Sequence, residues 1–232
     1  MLNKTDSNKV QSVATSLLWM DVKESGHDLI ASHPFTNCWY TCIDGKDFVD
    51  LHDPDALAKW RSFEEKTIKS LSPLVLFRLV CKPYRMTFLK YAAPFMSAAD
   101  IGTALRETWR SVENLSGDIN VSQKEMVNLY HVAARDTLMT GEELAAYGKL
   151  PPVFTVYRGV TNFNKGRKRA MSWTTSIETA EWFAKRYDSL GEIWSMDVNK
   201  ENVLAIFDSG EHEVVVRPEA IHRVNRSFQS FT

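Results

Sequence analysis

Three polar features in the last third of the chain stand inside or beside short apolar runs that are typical of β-strands. Arg158 ends one apolar run, Ser172 and Thr174 flank a tryptophan, and Glu211 and Glu213 lead into a run of valines. In an extended chain alternate residues project to the same face, so each pair places two like groups together. An arginine fork binds anions, and a carboxylate stabilises a developing positive charge. These residue types predict a polar site that holds an anion beside a cationic centre.

Each of these features also has a simple structural explanation. An arginine at the end of a strand is commonly a surface residue, a Ser/Thr pair before a helix is commonly a cap, and two glutamates at the start of a strand are commonly solvated. The order and spacing of the three features along the chain carry more information than any one of them.

That order resembles the mono-ADP-ribosyltransferases of the Arg-Ser-Glu class: Arg-Gly after a strand, Ser-x-Thr on a second strand, a helix containing Ala and Phe, and Glu-x-Glu opening a further strand. The likeness runs from Val153 to the carboxyl terminus. In the family the middle motif is Ser-Thr-Ser, whereas here Trp173 takes the central place and Thr174 the last. Ser172 is preferred as the first member because Phe183 follows it by eleven residues. The rival alignment uses residues 174–176.

The resemblance implies that the substrate is NAD and that the site residues share its binding and cleavage. Arg158 clamps the dinucleotide, and Gly159 allows the ligand to approach the backbone closely. Glu213 stabilises the cationic ribose that forms as nicotinamide departs. Ser172 orients Glu213 and the nicotinamide ribose, and Thr174 supports the pocket, with the indole of Trp173 turned into the core.

The acceptor of ADP-ribose is less clearly specified. In the family the first glutamate of Glu-x-Glu, here Glu211, is associated with arginine acceptors, which favours a protein. The basic run at 164–169 lies between the arginine strand and the serine strand and carries no acidic residue. Such runs are usually solvated loops, but beside this site the run also fits contacts with the phosphates of RNA or DNA.

Residues on and after the helix that follows the serine strand are further binding candidates. Phe183 is the aromatic residue that the family often has on this helix, and it is a candidate for NAD binding. Arg186 and Tyr187 match, by position, the family's loop that contacts phosphates and nicotinamide. The alternative is that Arg186 and Tyr187 end a surface helix whose carboxyl terminus favours positive charge.

The elements that position these residues follow from periodicity. Apolar residues recur at helical spacing over 54–72, from Asp100 to Val112, and from Ser122 to Ala133. After Pro151 and Pro152, short β-branched and aromatic runs predict strands at 153–157, 193–198, 203–207, 212–216 and 220–224, with a helix over 177–187. The fold class predicted is α+β: a helical region, 1–150, packed on a strand-rich catalytic core, 151–232. The resemblance makes that core a split antiparallel β-sandwich with an NAD cleft between its sheets.

The composition of the chain limits its expected binding partners and cellular location. The chain has 232 residues with 28 basic and 29 acidic side chains, so no global charge drives it onto nucleic acid or membrane. Three cysteines, Cys38, Cys42 and Cys81, predict reduced thiols, and no metal site is expected. No signal peptide or membrane span is predicted, which favours a cytoplasmic protein.

Family habit suggests a bacterial or phage effector, or the toxin of a toxin-antitoxin or phage-defence system, with a regulatory partner such as an antitoxin. Two alternatives stay open. One is an NAD glycohydrolase, in which water is the acceptor at the same site. The other is a non-catalytic module of the same fold that binds a partner.

Overall fold

The computed structural model describes residues 2–111, 120–166, 169–186, 191–208, 210–221 and 224–227. The chain forms two compact units, Met1–Ser122 and Gln123–Thr232. Helices and antiparallel sheets together make the fold α+β, as the sequence predicts. Among the described helices, none combines the length and the apolar composition that crossing a bilayer requires.

The first unit is mainly helical, with small sheets inserted after its first helix. Its described helices are α1 Ser7–Leu18, α2 Pro54–Ser70, α3 Pro73–Leu79, α4 Arg85–Ala92 and α5 Ala98–Ser111. Its strands are β1 Lys23–Glu24, β2 Ile30–His33 and β3 Thr36–Cys38 in one antiparallel sheet, and β4 Tyr40–Ile43 and β5 Asp47–Asp50 in a hairpin. The predicted helices over 54–72 and 100–112 are thus present with slightly different ends.

The five short strands described in the first unit are not among the sequence predictions. Each has two to four residues, and several carry polar side chains where alternation would require apolar ones. The hairpin depends on its turn, where Asp44 and Gly45 both have positive φ, 54° and 74°. Such a turn closes two strands with little help from a hydrophobic pattern.

In its described residues, the second unit combines four α-helices with one six-stranded antiparallel sheet. The described helices are α6 Gln123–Val132, α7 Arg135–Leu138, α8 Gly141–Lys149 and α9 Ile177–Ala184. The strands are β6 Val153–Val160, β7 Ser172–Thr174, β8 Glu192–Asn199, β9 Val203–Phe207, β10 Glu213–Val216 and β11 Asn225–Ser227. Their order across the sheet is β11-β8-β6-β7-β10-β9.

Two sequence predictions for this unit differ from the structure. The edge strand predicted at 220–224 is absent from its described residues; Pro218–Ala220 forms a 3₁₀ turn instead, and the edge strand is β11. A proline at the start of such a turn lacks the N–H that a strand would donate. The region boundary predicted at 150 follows the change from helix to strand, whereas the compact units divide before α6.

The helices α6 and α8 belong to the second unit because they cover β9, which ends the sheet. All five residues of β9 are buried. Two of the N–H groups along this edge are bound by the covering helical region: Ile206 N donates to Met139 Sδ at 3.4 Å, and Asp208 N donates to Glu143 Oε1 at 2.9 Å. The edge of the sheet is therefore closed by side chains rather than by another strand.

The core of the first unit contains a histidine that is fully buried. His33 lies edge-on to Trp60, and its Nε2 lies 3.2 Å from the carbonyl oxygen of Leu18 while Nδ1 accepts from Phe35 N at 3.1 Å. Burial lowers the pKa of His33 from 6.5 to about 4, and the positive charge of Arg61 acts in the same direction. The imidazole is therefore neutral at pH 7.

This histidine should make the first unit sensitive to acid. Between pH 6.5 and pH 4 the unfolded chain binds a proton at His33 that the folded chain does not, so stability falls as the pH falls through this window, by roughly 2–3 kcal/mol at pH 4.5. His33→Gln keeps a donor and an acceptor but does not titrate. Urea unfolding at pH 7 and pH 4.5 should show a smaller loss for the variant, and equal losses would contradict the assignment.

Candidate functional site

The three predicted site residues Arg158, Ser172 and Glu213 lie on neighbouring strands and form one chain of contacts. Arg158 Nη1 on β6 donates to the carbonyl oxygen of Ser172 on β7 at 2.6 Å. Ser172 Oγ donates to Glu213 Oε1 on β10 at 2.6 Å. These residues, up to 55 positions apart in sequence, therefore occupy a single site.

The position of Arg158 follows from the way β6 and β7 meet. Both strands are fully described, and they are in register at one residue pair, Tyr157 with Thr174. Past that pair the backbone ladder does not continue, and the Arg158 guanidinium reaches the Ser172 carbonyl instead. Val156 and Val160, two positions before and after Arg158 and therefore on the same face of β6, are both buried. A half-buried charge thus stands in an apolar strand because it bridges a gap in the sheet.

Strand register sets the contact between Ser172 and Glu213. Glu213 lies opposite Thr174, and Val215 lies opposite Ser172. Since alternate residues share a face, Ser172 and Glu213 are diagonal neighbours on the same face of the sheet. The serine hydroxyl donates a hydrogen bond to Glu213 Oε1, and this bond fixes the orientation of the carboxylate.

The central tryptophan of the Ser-x-Thr motif points away from that face, as predicted. Trp173 is 2% exposed, and its Nε1 donates to the carbonyl oxygen of Ala170 at 2.8 Å. The bulky indole therefore fills the core beneath the strand and satisfies its own donor. The departure from Ser-Thr-Ser leaves both hydroxyls in place.

Thr174 acts as a brace for the loops around the site. Its Oγ1 donates to the carbonyl oxygen of Glu211 at 2.7 Å and accepts from Ser176 N at 3.1 Å. The side chain is buried, at 5% exposure. The sequence predicts Thr174 as a support for the binding pocket. In the structure its two hydrogen bonds connect the turn before β10 to the start of α9.

Glu211 does not share a strand face with Glu213, contrary to the prediction. Strand β10 begins at Glu213, and His212 has a positive φ of 48°. A left-handed residue breaks the alternation that two residues of one strand would have. Glu211 is an exposed residue of the preceding turn, and it is tied to the site through its carbonyl oxygen.

Gly159 has a different role from the predicted close approach of a ligand. A Cβ built at this position would meet the carbonyl oxygen of Ala180, Ala184 N at 2.5 Å and Phe183 Cβ at 2.7 Å. All three belong to α9, which therefore packs directly on the β6 backbone. Gly191 has the same property, with Val160 O at 2.6 Å from its Cβ position and Ala184 O also in contact.

The two remaining described binding candidates lie on or just after α9. Phe183 is half-buried beside Gly159, next to Arg158 in the chain. Arg186 lies with its guanidinium 5.5 Å from the Phe183 ring centre and 5.0 Å from that of Trp182. Tyr187, the third candidate of this group, lies outside the described residues.

Tyr130 on α6 is a neighbour of the site that the sequence analysis did not single out. It is buried, and its pKa is raised well above 10, first by burial and second by the negative charge of Glu213. The phenol is therefore neutral at any physiological pH. Tyr130 lies four residues after Met126 on the apolar face of α6. This position is only a weak indication of a functional role, because a tyrosine on such a face usually packs in the core.

Glu192 at the start of β8 was also missed. Its carboxylate is 3% exposed; it accepts from the Lys165 ammonium and from Trp194 Nε1, the latter at 3.0 Å. These donors, the lysine first, lower the pKa of Glu192. An acidic residue before an apolar run usually indicates a solvent-exposed strand end, so nothing in the sequence indicates that Glu192 is buried.

No protein-family model, curated protein or solved structure matches this chain. Within the described residues, no group of three or more His, Cys, Asp and Glu side chains is arranged to hold a metal ion. The assignment of a function therefore depends on the geometry of Arg158, Ser172 and Glu213.

The packing of α9 on β6 gives a direct test of the scaffold. We expect Gly159→Ala to lower the free energy of unfolding by roughly 1–3 kcal/mol, because the added methyl group meets backbone atoms that cannot move aside. Gly148→Ala is the matched control, since a Cβ at Gly148 on α8 meets nothing within 4 Å and alanine favours a helix. Urea unfolding of both variants measures the difference, and equal stability would reject the close packing.

Proposed function

We propose that the second unit is a mono-ADP-ribosyltransferase that uses NAD as donor and releases nicotinamide. In this proposal the six-stranded sheet is the split antiparallel β-sandwich of that class. The strands β11, β8 and β6 form one half, and β7, β10 and β9 form the other. The single residue pair between β6 and β7 supports such a division, because it leaves the two halves free to diverge.

The observation that carries the proposal is the continuous contact from Arg158 through Ser172 to Glu213. A clamp for phosphate, a hydroxyl and a carboxylate are the three groups that cleavage of a cationic dinucleotide requires. They come from three neighbouring strands: the arginine bond crosses from β6 to β7, and the serine bond crosses from β7 to β10. Chance placement of surface residues does not account for a half-buried arginine in this position.

Arg158 is proposed to hold the pyrophosphate of NAD. A guanidinium has five N–H donors in a planar fork, so the same group can bind the Ser172 carbonyl and phosphate oxygens. The bond to Ser172 fixes the direction of the fork before the ligand arrives. Gly159 contributes indirectly, because it lets α9 pack directly on the backbone of the strand that carries the arginine.

Glu213 is proposed to stabilise the ribose as the glycosidic bond breaks. The bond between ribose C1 and the nicotinamide nitrogen takes its electron pair to nitrogen, so nicotinamide leaves neutral and needs no acid. Positive charge develops on the ribose and is stabilised by the carboxylate. The acceptor atom then bonds to C1 and releases one proton, so that NAD⁺ and acceptor–H give ADP-ribosyl acceptor, nicotinamide and H⁺.

Ser172 and Thr174 are proposed to hold Glu213 in place. Ser172 fixes one carboxylate oxygen, and Thr174 fixes the turn that leads into β10. Buried Tyr130 presents a neutral phenol rather than a second anion near the carboxylate. Preorganisation of this kind avoids rearrangement during the reaction.

The acceptor is proposed to be a macromolecule, in a cytoplasmic effector or toxin that a partner such as an antitoxin can regulate. The exposed position of Glu211 in a turn removes the paired-carboxylate geometry that favoured an arginine acceptor. Hydrolysis of NAD by the same site is the alternative reaction. Label from NAD that appears in free ADP-ribose alone, with lysate present, would assign hydrolysis instead.

Replacing the proposed catalytic carboxylate should abolish turnover without loss of the fold. We expect Glu213→Gln to lower kcat/KM for nicotinamide release at least about 100-fold, because the amide has almost the same volume but no charge. Glu201→Gln, at an exposed residue away from the site, should keep the parent rate. Release of nicotinamide by both variants is measured by chromatography, and a parent rate for Glu213→Gln would reject this role.

Replacing the arginine fork by a single ammonium should weaken NAD binding. We expect Arg158→Lys to raise the Kd for NAD by roughly 10-fold or more, since lysine keeps the charge but cannot bind the Ser172 carbonyl and a phosphate in the same plane. Arg110→Lys makes the same change at an exposed position and should leave Kd unaltered. Calorimetry measures both, and an unchanged Kd for Arg158→Lys would contradict the clamp.

A further inference from the structure

Two exposed aromatic side chains lie among basic residues beside the candidate site. We call Phe163, Trp182, Lys185 and Arg186 the aromatic–basic surface. Phe163 is 79% exposed and Trp182 is 56% exposed. A single exposed ring is common on protein surfaces, whereas exposed rings grouped with polar or charged residues mark interaction sites.

The two parts of this surface meet where β6 ends. The Cβ position of Gly191 lies against both Ala184 O and Val160 O, so the carboxyl end of α9 abuts the last residue of β6. Phe163 follows Val160 by three residues, and Lys185 and Arg186 follow Ala184 directly. The loop after β6 and the segment after α9 therefore start close together, at the same edge of the unit.

A hydrogen-bonded turn holds Phe163 at this edge. Asn164 N and Lys165 N donate to Thr161 O at 3.2 and 3.0 Å, and Thr161 N donates to Asn164 Oδ1 at 2.9 Å. Lys165 is also tied to the buried Glu192 carboxylate. The turn is thus fixed at both ends, and an aromatic ring held outward in this way loses little entropy on binding.

The second aromatic group, Trp182, contacts both a guanidinium and another ring. The Arg186 guanidinium lies 5.0 Å from the centre of the Trp182 ring, and the Trp182 and Phe183 rings meet edge to face at 4.9 Å. An indole with an adjacent guanidinium offers a flat face for a base and a charge for its phosphate. The sequence of the loop 161–171 contains no acidic residue, and two of its basic residues, Lys165 and Arg169, are exposed in the described part of the chain.

We propose that the aromatic–basic surface binds single-stranded RNA, and that RNA is the acceptor of the transferase. The inference rests on the proposed function, with RNA in the place of acceptor–H in the balance given above. Exposed rings stack unpaired bases, which duplex DNA hides and which RNA loops and ends display. Basic side chains alone would also fit an acidic protein, but two outward rings among them favour bases over carboxylates.

Fluorescence anisotropy with a labelled single-stranded RNA of about 12 nucleotides tests the surface, without NAD. We expect Phe163→Ala and Trp182→Ala each to raise Kd by roughly 5- to 100-fold. The matched control is Phe48→Ala, which removes a ring that is 78% exposed on the first unit and should leave Kd unchanged. Arg186→Gln should also reduce the dependence of Kd on salt, whereas Lys23→Gln should not.

Transfer is then followed with labelled NAD and separated RNA, DNA and protein fractions. Label in RNA that Phe163→Ala diminishes supports the inference. RNA that does not bind, ring variants that bind like the parent, or label confined to DNA or protein would overturn it. If RNA binds as expected but no NAD is consumed, the proposed function fails and the binding surface stands. If NAD is consumed and protein is labelled without RNA binding, the function stands and this inference fails.

Discussion

The separation of β6 from β7 beyond one residue pair determines how the rest of the second unit is built. Register pairing of β6 with β7 is limited to Tyr157 and Thr174, and the Ser172 carbonyl accepts from the Arg158 guanidinium. Because the ladder stops, a side-chain donor takes over, and a charge can stand between apolar neighbours. The site is therefore a consequence of an interrupted sheet, in which polar side chains satisfy the backbone that a neighbouring strand would otherwise bind.

The strands on both sides of this interruption are fixed by neighbouring elements. On one side α9 lies directly on the β6 backbone, where Gly159 and Gly191 carry no side chain that would push it away. On the other side β10 pairs with β7 and brings Glu213 into reach of Ser172. The brace at Thr174 joins the two sides through the turn before β10. Helix packing and strand register thus act on the same three polar groups.

The sequence allowed the elements of the site to be predicted better than their detailed geometry. Helical and strand periodicity located α2, α6, β8 and β9, and alternation predicted that Ser172 and Thr174 share a face and that Trp173 is buried. It failed for Glu211, because nothing in the letters Glu-His-Glu indicates a left-handed histidine. The environments of two other residues were not predicted either. Gly159 packs against α9, and Glu192 accepts from Lys165, and both partners come from distant parts of the sequence. Tertiary contacts of this kind have no local pattern.

The cover over β9 has a consequence for the chain as a whole. An unprotected strand of five apolar residues at the end of a sheet would offer its N–H groups to another copy of the protein and begin aggregation. Here Met139 accepts from Ile206 N within the strand, and Glu143 accepts from the N–H of Asp208, which directly follows it. The segment from α6 to α8 is thus a guard against self-association, which gives a physical reason for the unit to begin at Gln123 rather than at the prolines before β6.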